Sequence, residues 1–484
     1  MNIENLKMEA KTFILKDTDN LDKISCHSYD PEYLELENNL KSSKFKVVLK
    51  DLLSEKVISG PMGFQLHTYD YVPDNYPDAV KLLQISNIDK FGKIINTNRD
   101  KYITKEKDTE LKNSHVKKND LIIAKTGTLG RLALFNGDYE ANLNQALGII
   151  RLKEKHNEVK IIPKFIHFYL NSYFALEQFT ALGGYRSGQS GLSLNEIGTI
   201  QIILPKEDEQ KEILNKVEEI KIKISNEQNK YYSYLEKIGK LLDDYTGLDL
   251  SNISQTWITE PEKIFDRIDC YFNSQQLEKI FEIINKLDKD KFDIIKSKDL
   301  DLIKAMNKDE REEDKAHVFK YVDIGNTEKE LGEIKGYDED ILFNLPSRAK
   351  MKAKENDVFI PRPIGSTQGI VKVNKEFDNQ LFTTGNIQIR PKEDDDSFLL
   401  WTMLKSNIMQ KQFFYLQSGC SQPEISPNNF KSYVLFPFPK GDIREEITAK
   451  SKEYYKEALK HQKEIANLQK NMIDVFDEEI NKFL

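Results

Sequence analysis

The chain has 484 residues, 39% hydrophobic and 31% charged, with a net charge of −8 and a mean hydropathy of −0.58. That length holds about three domains, and no apolar run approaches the ~18 residues of a membrane span, so a membrane protein is not expected. Met1-Asn2-Ile3-Glu4-Asn5 is not the basic-then-apolar start of a secretory signal. Cys26, Cys270 and Cys420 lie more than a hundred residues apart with no metal-ligand spacing. A reduced, cytoplasmic setting is therefore expected.

In chain order, a short helix is predicted over Glu32–Leu40, followed by a mixed domain of about 150 residues with apolar runs at Leu121–Ala124, Gly148–Leu152 and Ile200–Leu204. One helical stretch, Pro163–Leu182, lies inside it. From about Glu207 to Tyr245, apolar residues three, four or seven apart (Ile213, Val217, Ile220, Ile224, Tyr231, Leu235, Ile238, Leu242) predict a long charged helix behind a Pro-Lys turn. Thr246–Thr256 reads as a linker. The series then returns: a helix over Gln275–Leu287, apolar runs at Val358–Ile360, Ile387–Ile389 and Val434–Phe436, and a helical stretch over Phe398–Leu416. A second long helix starts at about Asp442. Such a helix, ~57 Å at ~1.5 Å per residue, does not cover its stripe against a small domain, so pairing with its sister as an antiparallel coiled coil is expected.

The return is literal. Leu-Ser-Leu-Asn-Glu-Ile at 192–197 comes back as Ile-Ser-Pro-Asn-Asn-Phe at 425–430, and Pro205-Lys206-Glu207-Asp208 as Pro439-Lys440-Gly441-Asp442. Lys23-Ile24-Ser25-Cys26 echoes Arg267-Ile268-Asp269-Cys270. A repeat this long signifies duplicated globular domains, since solenoid periods run about 20–50 residues. Charge is uneven within it: residues 81–206 carry 19 Lys+Arg against 12 Asp+Glu. A locally basic domain on an acidic chain suits phosphate contact, although a solvated charged face reads the same way.

Catalytic sets are not evident. Lys125-Thr126-Gly127 lacks the companions of a serine β-lactamase, the Gly-Lys-Ser/Thr ending of a Walker A loop is missing, and the seven histidines do not recur between copies. What recurs is a strand, then a cation, then a glycine turn. Leu121–Ala124 leads through Lys125 into Gly127-Thr128-Leu129-Gly130-Arg131, and Val358-Phe359-Ile360-Pro361 leads through Arg362 into Gly365-Ser366-Thr367-Gln368-Gly369. Two glycines around a hydroxyl residue expose backbone N–H groups to an anion; the alternative is a structural hairpin. A polar loop precedes the last strand, Gly183-Gly184-Tyr185-Arg186-Ser187-Gly188-Gln189-Ser190-Gly191, matched by Gln417-Ser418-Gly419-Cys420-Ser421-Gln422-Pro423. Arg, Gln and Ser donate to base edges; the alternative is a mobile surface loop.

These elements, with Pro-Lys-Glu-Asp-Glu-Gln-Lys-Glu-Ile (205–213) opening a helix, resemble the specificity (S) subunit of type I restriction–modification systems. Arg444 stands where Gln210 does, a departure in the second copy. The resemblance runs from about residue 20 to the end. It implies an α+β protein in which two repeated mixed α/β target recognition domains are separated by two long helices forming an antiparallel coiled coil, with pseudo-two-fold symmetry. The expected divisions are a first recognition domain at 1–206, a spacer helix at 207–245, a linker at 246–262, a second recognition domain at 263–441 and a second spacer helix at 442–484. The implied function is a non-catalytic reader of a bipartite DNA site in phage defence, with no cofactor in this chain. Its implied partners are double-stranded DNA, two S-adenosylmethionine-dependent adenine methyltransferase (modification) subunits and restriction (translocase–nuclease) subunits. The candidate DNA contacts are Lys125, Thr128, Arg131, Tyr185, Arg186 and Gln189 in the first copy, and Arg362, Ser366, Gln368, Ser421 and Gln422 in the second. Arg186, Gln189 and Gln422 are the candidates for base edges. The alternative function is a duplicated protein-interaction scaffold with no DNA binding.

Overall fold

A computed structural model describes residues 30–89, 92–97, 100–126, 131–186, 189–249, 271–393, 396–419 and 423–484. The 23–26/267–270 echo and most of the expected linker lie outside them. The chain forms two compact units: residues up to Ile224 with Asn467–Leu484, and Ser225–Ala466. Both are mixed α/β.

The short helix expected ahead of each mixed domain is present. Pro31–Ser42 starts on Asp30, whose carboxylate accepts the Glu32 N–H, and its apolar face buries Tyr33, Leu36 and Leu40. Gln275–Asn285 starts on Ser274, which caps Leu277, and buries Leu277, Ile280 and Ile284.

The sheets of the two units follow one plan. In the first unit Lys46–Val48 pairs with Gln201–Ile203, and Ile58–Ser59, Leu147–Ile150, Leu121–Ala124 and Leu132–Leu134 form an antiparallel sheet in that spatial order. A third sheet runs Tyr71–Val72, Lys101–Ile103, Val80–Leu83, Ala141–Leu143, His115–Val116, with Val80–Leu83 parallel to Ala141–Leu143. In the second unit Phe292–Lys296 pairs with Leu435–Pro439, and Asp301–Ile303, Asn386–Arg390, Val358–Pro361 and Val371–Lys372 form the antiparallel sheet. Asp338–Ile341, Val318–Val322, Leu381–Thr383 and Ala349–Lys352 form the third, with Val318–Val322 parallel to Leu381–Thr383. Every residue of Leu121–Ala124 and Val358–Pro361 is buried, as their unbroken apolar runs require.

The helical stretch expected in each copy is two helices: Pro163–Leu170 and Tyr173–Leu182, Asp396–Lys405 and Asn407–Tyr415. Ser172 and Ser406 sit extended at the breaks. Their hydroxyls turn back onto the carbonyls of Tyr169 and Met403, a local bond that competes with helix continuation. The cap of the second helix comes from elsewhere. Asp243 accepts the N–H groups of Asn407 and Ile408 at 3.2 and 3.0 Å, and Asp477 accepts that of Tyr173.

The long helices are Glu207–Thr246 and Gly441–Asn481. In the first unit Ile213 and Val217 share a core with Phe476 and Ile480, and Lys216 pairs with Glu479 at 3.0 Å. In the second unit Glu227 meets His461 at 2.6 Å, Tyr234 packs on Tyr454, and Lys450 lies over Tyr245, so partner numbers fall as those of the first helix rise. The helices therefore run antiparallel there. Their apolar stripes are shared with the neighbouring domain core as well as with each other.

Candidate nucleic-acid interface

The strand that carries each candidate cation is braced at its start. Asn119 and Asn356 both take φ of 70°, a left-handed conformation that Asn tolerates. The next residue, Asp120 or Asp357, is buried and accepts two hydrogen bonds from an arginine at the end of the neighbouring strand. Arg151 reaches Asp120 at 2.8 and 2.6 Å, and Arg390 reaches Asp357 at 2.8 Å from both nitrogens. Neither arginine was singled out in the sequence, although Arg151-Leu152-Lys153-Glu154 recurs as Arg390-Pro391-Lys392-Glu393.

At the other end of the strand, the residue that leads into the glycine turn is tied to the end of the polar loop. The Leu192 N–H donates to the Lys125 carbonyl at 2.9 Å, and the Ile425 N–H donates to the Arg362 carbonyl at 2.9 Å. One step on, Thr126 bridges to Gly191 and Pro363 bridges to Glu424. Lys125 and Arg131 are thus joined through the backbone to the hairpin Gly184–Arg186 and Gln189–Gly191, which holds Tyr185, Arg186 and Gln189, with Arg186 opposite Gln189. Arg362, with Ser366 and Gln368 following it, is joined in the same way to residues 423–425. Thr128, Ser421 and Gln422 lie outside the described residues.

The two cations are spent differently. The Lys125 ammonium donates to the Ser59 hydroxyl, and burial holds its pKa below the usual lysine value. Arg131 donates to the Ile88 carbonyl at 3.2 Å. Arg362 is ion-paired to Glu424 and donates to the Thr384 carbonyl at 3.2 Å, leaving its buried Nε unpartnered. Gln368 is exposed and Ser366 half-buried.

Beneath the second glycine turn lie groups the sequence reading missed. The Lys405 ammonium, fully enclosed, donates to the carbonyls of Lys329 (3.0 Å), Glu330 (2.7 Å) and Gln368, and burial pushes its pKa down to about 7. The Trp401 indole N–H donates to the Ile370 carbonyl at 3.0 Å, and Gln410 holds Thr367 by both its hydroxyl and its carbonyl. In the first unit the residues 234 positions earlier are His167 and Asn171. His167 bonds the Gly92 carbonyl at 3.0 Å, burial lowering its pKa to about 4, and Asn171 donates to the Leu132 carbonyl at 3.3 Å. The loop pressed against this place turns at Gly92 (φ 72°) or Gly332 (φ 76°), where any Cβ would collide with the carbonyl of Leu132 or Ile370.

The family model of the type I restriction modification DNA specificity domain matches residues 86–237. That span includes the brace, the turn, the hairpin loop and most of the first long helix. A curated relative, the EcoBI specificity subunit of a type I restriction enzyme from Escherichia coli, is 26% identical over 179 residues, covering 36% of this chain and 36% of that protein. The match thus spans about a third of the relative's length. Matches among solved structures include the type I restriction–modification S subunit from M. genitalium, which is 15% identical with a TM-score of 0.38, covering 89% of this chain and 95% of that one. The HsdS subunit from Thermoanaerobacter tengcongensis is 14% identical with a TM-score of 0.30, covering 91% and 97%.

Proposed function

We propose that the chain, whose residues 86–237 match the family model of the type I restriction modification DNA specificity domain, is the DNA-reading, non-catalytic subunit of a type I restriction–modification enzyme. The observation that carries the reading is the doubled joint. In both units a buried strand leads to a cation whose carbonyl accepts an N–H from the end of the polar loop, and the family match covers the first of these joints. Each joint reads one half of a bipartite duplex site. The long helices, as an antiparallel coiled coil with the repeats in pseudo-two-fold relation, set the gap between halves. Within the divisions 1–206, 207–245, 246–262, 263–441 and 442–484, the first and fourth are the recognition domains.

In this reading Arg186, Gln189 and Gln422 meet base edges. Lys125, Arg131 and Arg362 sit against the backbone, and Thr128, Tyr185, Ser366, Gln368 and Ser421 complete the surface. Two S-adenosylmethionine-dependent adenine methyltransferase subunits and the restriction subunits dock on the chain in the cytoplasm and supply the chemistry.

The test is to map methylated adenines in a host lacking this gene, then with the gene restored, then with Arg186→Ala. One bipartite motif should appear with the wild type. The variant should relax a single base position in one half by about 5- to 150-fold, the equivalent of ~1–3 kcal/mol for a bidentate contact. No motif with the wild type refutes DNA reading, and an unaltered motif with Arg186→Ala removes that residue from the interface.

A further inference from the structure

A cleft of about 510 Å³ opens in the first unit at the Asn119–Asp120 end of the Leu121–Ala124 strand, away from the glycine turn. Six cationic side chains line it, Lys117, Lys118, Arg151, Lys153, Lys155 and Lys160, against Asp120 and Glu154. Three of the six are engaged: Arg151 by Asp120 and Glu55, Lys160 by Glu207 at 3.3 Å, and Lys153 by the Asp51 carbonyl at 3.0 Å. Lys117, Lys118 and Lys155 are exposed, and among the described residues no carboxylate pairs with them.

The wall of this cleft is an insertion. Residues 151–162 separate the Leu147–Ile150 strand from the Pro163–Leu170 helix and form the hairpin Lys155–His156 with Val159–Lys160. In the second unit only residues 391–395 separate Asn386–Arg390 from Asp396–Lys405. There Lys354 and Glu355 stand where Lys117 and Lys118 do, so charge is balanced as well.

We propose that this cleft holds the sugar–phosphate backbone of the duplex beside the site read by the first repeat, giving that repeat a sequence-independent grip that the second lacks. The proposal rests on the DNA-reading function above. Lysine suits the role because an ammonium is a point charge with no planar fork to match to one geometry. The strand between cleft and turn spans ~13 Å at ~3.3 Å per residue. That distance is about four base-pair steps at ~3.4 Å each, so both features fit one continuous duplex.

The experiment uses the chain assembled with its methyltransferase subunits and a labelled duplex containing the mapped motif or a scrambled one, titrated across salt. The triple variant Lys117→Gln, Lys118→Gln, Lys155→Gln removes three free cations from the surface, and its melting temperature should match the wild type. Each lost phosphate contact flattens the log–log salt slope by ~0.9, so a slope shallower by about 2–3 is expected. Affinity should fall by a similar factor on both duplexes while the methylated motif stays the same. Lys354→Gln with Lys392→Gln in the second repeat should change the slope by less than about one. An unchanged slope in the triple variant overturns the proposal, as does a loss confined to the motif duplex. A weakened methyltransferase association with an unchanged slope overturns it too, and reassigns the cleft to a protein partner. Wild-type protein that binds neither duplex refutes DNA reading itself, a result distinct from all of these.

Discussion

The two repeats share a brace and differ in the prop. Asn119-Asp120 with Arg151 and Asn356-Asp357 with Arg390 hold the start of the central strand in the same way, down to the φ of the asparagine. At the far end, His167 and Asn171 in one unit are replaced by Trp401 and Lys405 in the other. The contrast shows where divergence is tolerated. The frame at the start of the strand keeps its chemistry, and the support at its far end differs between the repeats. The Gln210 position makes the same point. Its amide accepts the Ile162 N–H and donates to the Lys160 carbonyl, whereas Arg444, in the equivalent place, pairs with Asp396, which is the counterpart of Ile162. The departure noted in the sequence keeps the contact and changes its chemistry.

The largest effect expected is at the brace. Arg151→Met and Arg390→Met each leave a buried carboxylate unpaired, at a cost of about 3–5 kcal/mol. Hydrogen exchange on Leu121–Ala124 and Val358–Pro361 should report losses confined to each variant's own unit, smaller in the second because Asp357 keeps the Gln388 amide at 2.6 Å. Losses that leave either strand untouched would break the claim of a shared frame.

The prop should show the asymmetry. Lys405→Met strands the carbonyls of Lys329 and Glu330, each worth ~1–3 kcal/mol if left unsatisfied, while that of Gln368 keeps the Ile370 N–H; Asn171→Leu removes amide bonds to the Leu132 carbonyl at 3.3 Å and the His167 carbonyl at 2.8 Å, worth ~1 kcal/mol each. Urea unfolding should rank them in that order. If the second glycine turn reads bases, Lys405→Met should blur only its half of the methylated motif.

The smallest effect is a pH dependence. Burial raises the carboxyl of Asp477 to about 7 and that of Asp243 to about 6, from an ordinary value of 3.8. Between pH 4 and 7 the folded state holds protons that the unfolded chain has released, so stability declines as pH rises through that window and levels off above it. Asp477→Asn keeps the acceptor for Tyr173 and removes the titration. It should flatten the decline in melting temperature of the first unit, at about 2–4 °C per kcal/mol, and leave that of the second.

Repetition made much of the fold legible. Apolar runs gave the buried strands, and the Pro-Lys turns followed by spaced apolar residues gave both long helices to within about one residue of Thr246 and Gly441. Periodicity alone missed the serine breaks at 172 and 406, because the apolar pattern continues through them. The glycine turn and the polar loop stand as separate places in the sequence. They are joined by one backbone hydrogen bond between residues 67 positions apart in the first unit, as Lys125 and Leu192 are, and no local pattern encodes such a bond. Arg151, Arg390 and Lys405 went unnoticed for another reason: a surface cation and a cation turned inward look alike in a sequence. The doubled Arg-x-Lys-Glu was a usable signal for the first two.

Each unit is completed by the far stretch of the other repeat's helix, the first by Asn467–Leu484. That arrangement imposes an order on biosynthesis. A ribosome working at ~5–20 residues per second needs about 12–48 s to translate Ser225–Ala466. For that interval the Ile213 and Val217 face has been made but lacks Phe476 and Ile480, and the nascent N-terminal half waits with apolar surface open. A stop codon before position 467 therefore damages the half that was made first.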